Sequence, residues 1–281
     1  LIPPSVLFIL YGIFAEQSIA RLFIAAIIPG VISLLAYVLV IYFWVKIRPE
    51  VAPQPDETIS REARMKSLLD CWAILALFVV VIGGIYIGLF TPTEAAGVGA
   101  SATLILGLLL GRLKTDGVLR ALKESVFQTS MIFVIAIGGK LFVNFIALTG
   151  LANEVTFWIE STDASMFVVI GLIVVMYIFL GMFLDPIGII LLSLPLTIPI
   201  VEAYGLSLIW FGVVVVKLLE IGLVTPPIGL NVFVIKSIVD KTIKLESIFK
   251  GVGLFLVAEV FVLALITVSY THLRAHETVM N

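Results

Sequence analysis

Five stretches of this chain, roughly residues 22 to 44, 71 to 90, 95 to 110, 130 to 148 and 251 to 270, are nearly unbroken runs of apolar side chains. Each is close to the ~20 residues a helix needs to cross the hydrocarbon core of a bilayer. In hydrocarbon a segment must satisfy its own N–H and C=O groups, which a helix does within itself. The chain therefore reads as an all-α polytopic membrane protein, its helices embedded in a lipid bilayer. Composition agrees, with 61% of residues hydrophobic and only 13% charged, against roughly 45–50% and 25% in soluble domains. A net charge of −2 supplies no basic face for nucleic acid. The lone Cys71 excludes a disulfide framework. The two histidines, His272 and His276, lie in a polar tail, so no cofactor such as haem or zinc is expected in the spans.

Between 165 and 239 the apolar signal is almost continuous but punctuated by "GMFLDPIG", "SLPLTIPI", "EAYG" and "GLVTPPIG". That is the pattern of discontinuous helices. Lys and Arg concentrate at 46 to 66, 112 to 123 and 236 to 250 and are absent from 91 to 94, 150 to 164 and 202 to 205. Placing the basic set on the cytoplasmic side requires residues 165 to 203 to enter and leave by the same face. The expectation is a re-entrant hairpin with its tip near Asp185-Pro186, followed by one crossing over 206 to 239 that is broken at 222 to 229. The opening "LIPPSVLFILYG" carries the same Pro-Pro pair between apolar flanks. Charge placement has that helix end outside, near Glu16, whereas the second Pro-Pro helix ends inside. Two similar motifs of opposite topology are what an inverted repeat produces.

The breaks have chemistry of their own. Proline lacks an N–H and clashes with the carbonyl four residues back, so Pro226 and Pro227 are expected to free the carbonyls of Gly222 and Leu223. At membrane depth a free carbonyl needs protein, water or an ion in place of its helical donor, and the N–H groups that open the next helix favour an anion. One break can thus serve both a cation such as Na⁺ and a carboxylate. A plainer reading makes Thr225-Pro226 and Asp185-Pro186 N-caps followed by proline at the first helical position. Thr91-Pro92-Thr93-Glu94 spells a capping box, which is structural. Asp185 also marks an ion path because an acid within a spanning region is costly. Glu220 stands two residues before Gly222 and could be a direct ligand, while Lys217 one turn away offers it a salt bridge instead. Lys140 is a cation that could neutralise Asp185, meet an anionic substrate or snorkel.

The motifs "GLFTPTEAAGVGA" (88 to 100), "GMFLDPIGIILLSLPL" (181 to 196) and "EIGLVTPPIGLNVFVIKSI" (220 to 238), with the opening "IPPSVLFILYG", resemble the large membrane subunit of tripartite ATP-independent periplasmic (TRAP) transporters. The resemblance covers residues 1 to 268. It implies an elevator-type secondary transporter of the bacterial inner membrane with two inverted repeats. It also implies a small membrane partner subunit and a periplasmic substrate-binding protein that delivers a carboxylate, either a C4-dicarboxylate or a sialic-acid-like molecule, for Na⁺ symport. By the same resemblance Gly181, Asp185, Gly188, Gly222, Thr225 and Gly229 are candidate ion-binding residues, with Asp185 and Thr225 as Na⁺ ligands. Pro226, Pro227 and Asn231 fall to substrate binding or the helix break, and Pro3, Pro4 and Ser5 are their first-repeat counterparts.

The expected division is the end of a first repeat over 1–45, a cytoplasmic loop over 46–70 and scaffold helices with an amphipathic connector over 71–129. A transport region over 130–250, a final span over 251–268 and a tail over 269–281 complete it. The chain opens on Leu1 rather than Met and is read as a fragment whose beginning lies upstream. The tail changes composition abruptly, resembles translated adapter read-through and carries no functional expectation. A single-component Na⁺/carboxylate symporter is the alternative and differs in needing no binding protein. A membrane enzyme or respiratory subunit would want intramembrane His, Cys or paired carboxylates, which the spans almost lack. An ATP-driven permease would need its P-loop from another chain.

Overall fold

The computed structural model describes the chain except for residues 1, 53–59, 163, 241 and 278–281, and it describes the side chains of neither 64, 68, 152, 153, 160 nor 268–277. Part of the basic loop at 46 to 66 and the end of the tail therefore lie outside the described residues. The described residues form twelve α-helices: α1 (Val6–Phe14), α2 (Ile19–Ile47), α3 (Arg61–Asp70), α4 (Trp72–Tyr86), α5 (Pro92–Leu109), α6 (Thr115–Thr149), α7 (Leu151–Ser161), α8 (Met166–Gly181), α9 (Pro186–Ala203), α10 (Leu208–Gly222), α11 (Leu230–Ile238) and α12 (Leu245–Glu277). Among the described residues five of them, α2, α5, α6, α9 and α12, are long and apolar enough to cross a membrane.

The chain divides into two compact units, one of residues 1–44 and 134–281, the other of residues 45–133. In the smaller unit α4 packs on α5. The capping box forms as its sequence spells it: the Thr91 hydroxyl accepts from the Glu94 N–H at 3.3 Å while the Glu94 carboxylate accepts from the Thr91 N–H at 2.8 Å. The 112–123 connector and the 130–148 span are not separate elements, because α6 runs through both. Likewise α12 runs past Val268 to Glu277.

In the larger unit the core is built around α10, which buries Phe211 to Leu219 without interruption and then Ile221 and Gly222. A helix apolar on every side has no preferred surface and becomes a central element. Here α1, α8, α9 and α12 all pack against it. Phe211 stands edge-on between Tyr11 and Tyr177, with centroids 6.4 and 6.3 Å away, and the Tyr11 hydroxyl donates to the Leu208 carbonyl at 2.7 Å. That hydroxyl sits at the first turn of α10, so α1 is fastened to the end of α10 opposite its break.

The turn before Asp185-Pro186 and the break at the second Pro-Pro pair fall where the sequence places them, whereas the expected interruption at "SLPLTIPI" does not form: α9 runs unbroken through Pro195 and Pro199 and, expected as one arm of a re-entrant hairpin, is long and apolar enough to cross. Helices α8 and α9 are joined by the turn at 182–185 and packed on each other. At 16 residues, α8 is about 24 Å long, short of the ~30 Å hydrocarbon core. A hydroxyl cluster ties the two arms: the Ser193 hydroxyl lies 2.7 Å from both the Tyr177 hydroxyl and the Ile189 carbonyl, and Thr197 donates to the Ser193 carbonyl at 3.0 Å.

Candidate functional site

The hairpin turn and the helix break meet through two glycines. A Cβ on Gly222 would lie 2.6 Å from the Gly181 Cα, and one on Gly181 would lie 2.9 Å from the Gly222 Cα. Only a pair of residues without side chains lets the last turns of α8 and α10 touch backbone to backbone. The chain leaves both helices at this crossing, towards Asp185 on one side and Thr225 on the other.

Asp185 caps α9 as its sequence indicates, its side chain accepting from the Ile187 N–H at 3.0 Å, with Pro186 at the first helical position. One carboxylate oxygen makes that bond and the other remains available on an exposed side chain. Gly188, in the first turn of α9, has open space where a Cβ would stand.

Thr225 does not cap the next helix. Helix α11 begins at Leu230, and its N-cap is Gly229 in the left-handed conformation at φ 58°. The break needs a sharp reversal before α11, and a residue without Cβ takes that conformation at no steric cost. Thr225 instead turns back and donates its hydroxyl to the Ile221 carbonyl at 2.6 Å. With its proton so committed, the hydroxyl of this half-buried residue keeps only its acceptor capacity.

The carbonyls expected to be free are also reassigned. Gly222 accepts from the Thr225 N–H and Leu223 from the Asn231 N–H, both at 3.1 Å, because the loop closes on itself before α11 starts. Asn231 thus contributes its backbone N–H to holding the loop, while its side chain is exposed. Within the break and the hairpin turn, the carbonyls of Val224, Pro227 and Ile228 and those of Met182 to Leu184 receive no backbone donor from a described residue. Pro226 and Pro227 are exposed, and the bond between them is cis, as is that between Pro3 and Pro4.

The residues expected as first-repeat counterparts lie in the same unit. Pro3 is buried, Pro4 exposed and Ser5 half-buried, just ahead of α1. Their neighbour Ile2 lies against α2, since a Cβ on Gly30 would come within 2.9 Å of its side chain.

The lysines find partners that sequence spacing does not indicate. Lys217 reaches out of α10 to form an ion pair with Glu259 of α12 and donates to the Ser33 hydroxyl of α2 at 2.9 Å. The partner that spacing suggested was Glu220. Glu259 is 3% exposed and went unnoticed in the sequence, although an acid inside "FLVAEVFV" was signal enough. Lys140 lines a cavity of about 430 Å³ with Glu16, Ile190, Leu194 and Pro199, where α6 and the end of α1 meet α9. Asp185 is not among the residues lining it.

Among the described residues no three His, Cys, Asp or Glu come together as a metal cluster would require. The polar groups carried by the two segments that leave the crossing are carbonyls, the Thr225 hydroxyl and the Asp185 carboxylate, hard oxygen donors of the kind that suit an alkali or alkaline-earth cation rather than a transition metal.

Residues 1–271 match the family described as "Tripartite ATP-independent periplasmic transporter, DctM component". The chain is 33% identical over 95% of its length to the sialic acid TRAP transporter large permease protein SiaM of Vibrio cholerae, covering 62% of that protein. It is 32% identical over 85% of its length to the C4-dicarboxylate TRAP transporter large permease protein DctM of Pseudomonas aeruginosa, covering 55% of it. With the isethionate TRAP transporter permease protein DctMQ of Oleidesulfovibrio alaskensis the figures are 30%, 95% and 41%. The chain thus spans about half the length of the curated relatives it matches. It belongs to the DctM component family of TRAP transporters, multi-pass permease subunits of the inner membrane and not enzymes.

Proposed function

We propose that this chain is the translocating part of a secondary transporter that imports a carboxylate by Na⁺ symport, together with a small membrane subunit and a periplasmic substrate-binding protein. The single observation that carries the reading is the crossing at Gly181 and Gly222. It sets the donor-free carbonyls of the hairpin turn and the break on two segments that leave one point. Irregular backbone at membrane depth persists where it lines an ion or water site. Asp185 and the acceptor capacity of the Thr225 hydroxyl add to a hard-oxygen set for Na⁺. The opening turns of α9 and α11 supply N–H groups for the substrate carboxylate. The substrate class rests on the relatives whose names give sialic acid and C4-dicarboxylates, and the fused name DctMQ fits a small subunit working with this one.

Replacing Asp185 with Asn in the full-length protein with its partners tests the reading. Asn caps a helix nearly as well as Asp, so assembly in the membrane should persist while Na⁺-dependent uptake is lost or strongly reduced. Unchanged uptake with unchanged Na⁺ dependence would leave Asp185 as a cap alone. Uptake that needs no binding protein would favour the single-component symporter.

A further inference from the structure

The Lys217–Glu259–Ser33 group lies outside the crossing and is not used by the proposed site. All three residues are at most 5% exposed and stand on three helices, α10, α12 and α2. Beyond the ion pair, the hydroxyl of Tyr37 is the one further side-chain group directed at Glu259 among the described residues. Tyr37 of α2 stands beside this carboxylate, and Glu220 acts on the same tyrosine. A buried charge pair is weak evidence for stability, because desolvation offsets most of its attraction. Its position is more informative. Lys217 precedes Gly222 by five residues, about 7.5 Å along α10. Ser33 follows Gly30 by less than one turn of α2, and Gly30 is where Ile2 packs beside the first Pro-Pro pair.

We infer that Lys217, held by Glu259 and Ser33, is a positioning residue that fixes the axial placement of α10 and so the register of the Gly222 break against the Gly181 turn. The inference rests on the ion-site reading above. The helix neighbours of Lys217 are mainly valine and leucine, whose packing carries no bond of fixed direction. An ammonium bound to one carboxylate and one hydroxyl from different helices adds two such bonds to α10.

The test uses the full-length protein with its small subunit and reads thermal stabilisation against Na⁺ concentration, with Na⁺ alone as the probe. The double variant Lys217→Met with Glu259→Leu removes both charges together, which buried pairs often tolerate. Its midpoint without Na⁺ should stay near the native one, while the Na⁺ concentration for half-maximal stabilisation rises about tenfold or more, as when a supporting residue of a metal site is lost. Ser33→Ala, which removes one hydrogen bond and leaves the pair, should raise that concentration in the same direction and serves if the double variant does not assemble. A native Na⁺ concentration dependence in the variant that assembles overturns the inference, whatever happens to the midpoint. If the native protein itself shows no Na⁺ response, the ion-site reading fails instead.

Discussion

Substituting Gly222 with Ala puts the crossing to a direct test. The new methyl would stand 2.6 Å from the Gly181 Cα, 2.9 Å from its carbonyl carbon and 3.2 Å from its oxygen, whereas unstrained carbon contacts begin near 3.5 Å. All three are backbone atoms, so no side chain can rotate away, and α8 and α10 must separate by roughly 1 Å. Overpacking of this kind costs about 1–3 kcal/mol, and a backbone neighbour belongs at the upper end. Alanine in place of a helical glycine returns at most ~1 kcal/mol, leaving a net loss near 2 kcal/mol. In a large protein this amounts to a few degrees in the unfolding midpoint. The separation also moves the 182–185 turn away from the 223–229 break, so Na⁺ stabilisation of the full-length protein should weaken along with stability. Gly188→Ala is the matched control, because nothing lies within 4 Å of its new Cβ and its midpoint should hold or rise. The measurement is a thermal melt of both purified variants with and without Na⁺. A Gly222→Ala midpoint no lower than that of Gly188→Ala, with native Na⁺ dependence, would refute backbone contact at this crossing.

Other perturbations separate site from scaffold. Thr225→Val keeps shape but loses the hydroxyl, so the Na⁺-induced midpoint shift should shrink or vanish while the ion-free midpoint falls by about 1 kcal/mol for the lost bond to Ile221. A native Na⁺ shift in that variant would remove Thr225 from the ligand set. Thr91→Ala breaks the capping box and should cost about 1 kcal/mol with no change in uptake per assembled transporter. Phe211→Ala empties the slot between Tyr11 and Tyr177 and should cost about 3–5 kcal/mol, visible as reduced yield of assembled protein before any change in Na⁺ affinity.

Much of this architecture is legible in the sequence because its signals are local. Apolar runs announce α2, α4, α5, α6 and α12. Proline removes a helical hydrogen bond and glycine lowers helix propensity, so their clusters make the turn at 182–185 and the break at 223–229 visible beforehand, although single prolines at 29, 195 and 199 stay inside α2 and α9. The caps at Thr91 and Asp185 are likewise written within four residues. Hydrogen bonds that close across a loop are not so written. Asn231 takes the Leu223 carbonyl, and Gly229 rather than Thr225 starts α11, because how the seven residues of the break fold back depends on what their ends pack against. Spacing alone also pairs Lys217 with Glu220, one turn along the same helix. The folded protein gives it Glu259 and Ser33, since on a helix buried on every side a long side chain can reach across to its neighbours. The meeting of Gly181 with Gly222 belongs to the same class. Each glycine permits a close approach, but which two helices make it depends on how α8, α9, α1 and α12 close around α10. That is a matter of tertiary packing, for which no periodicity in the chain carries the register.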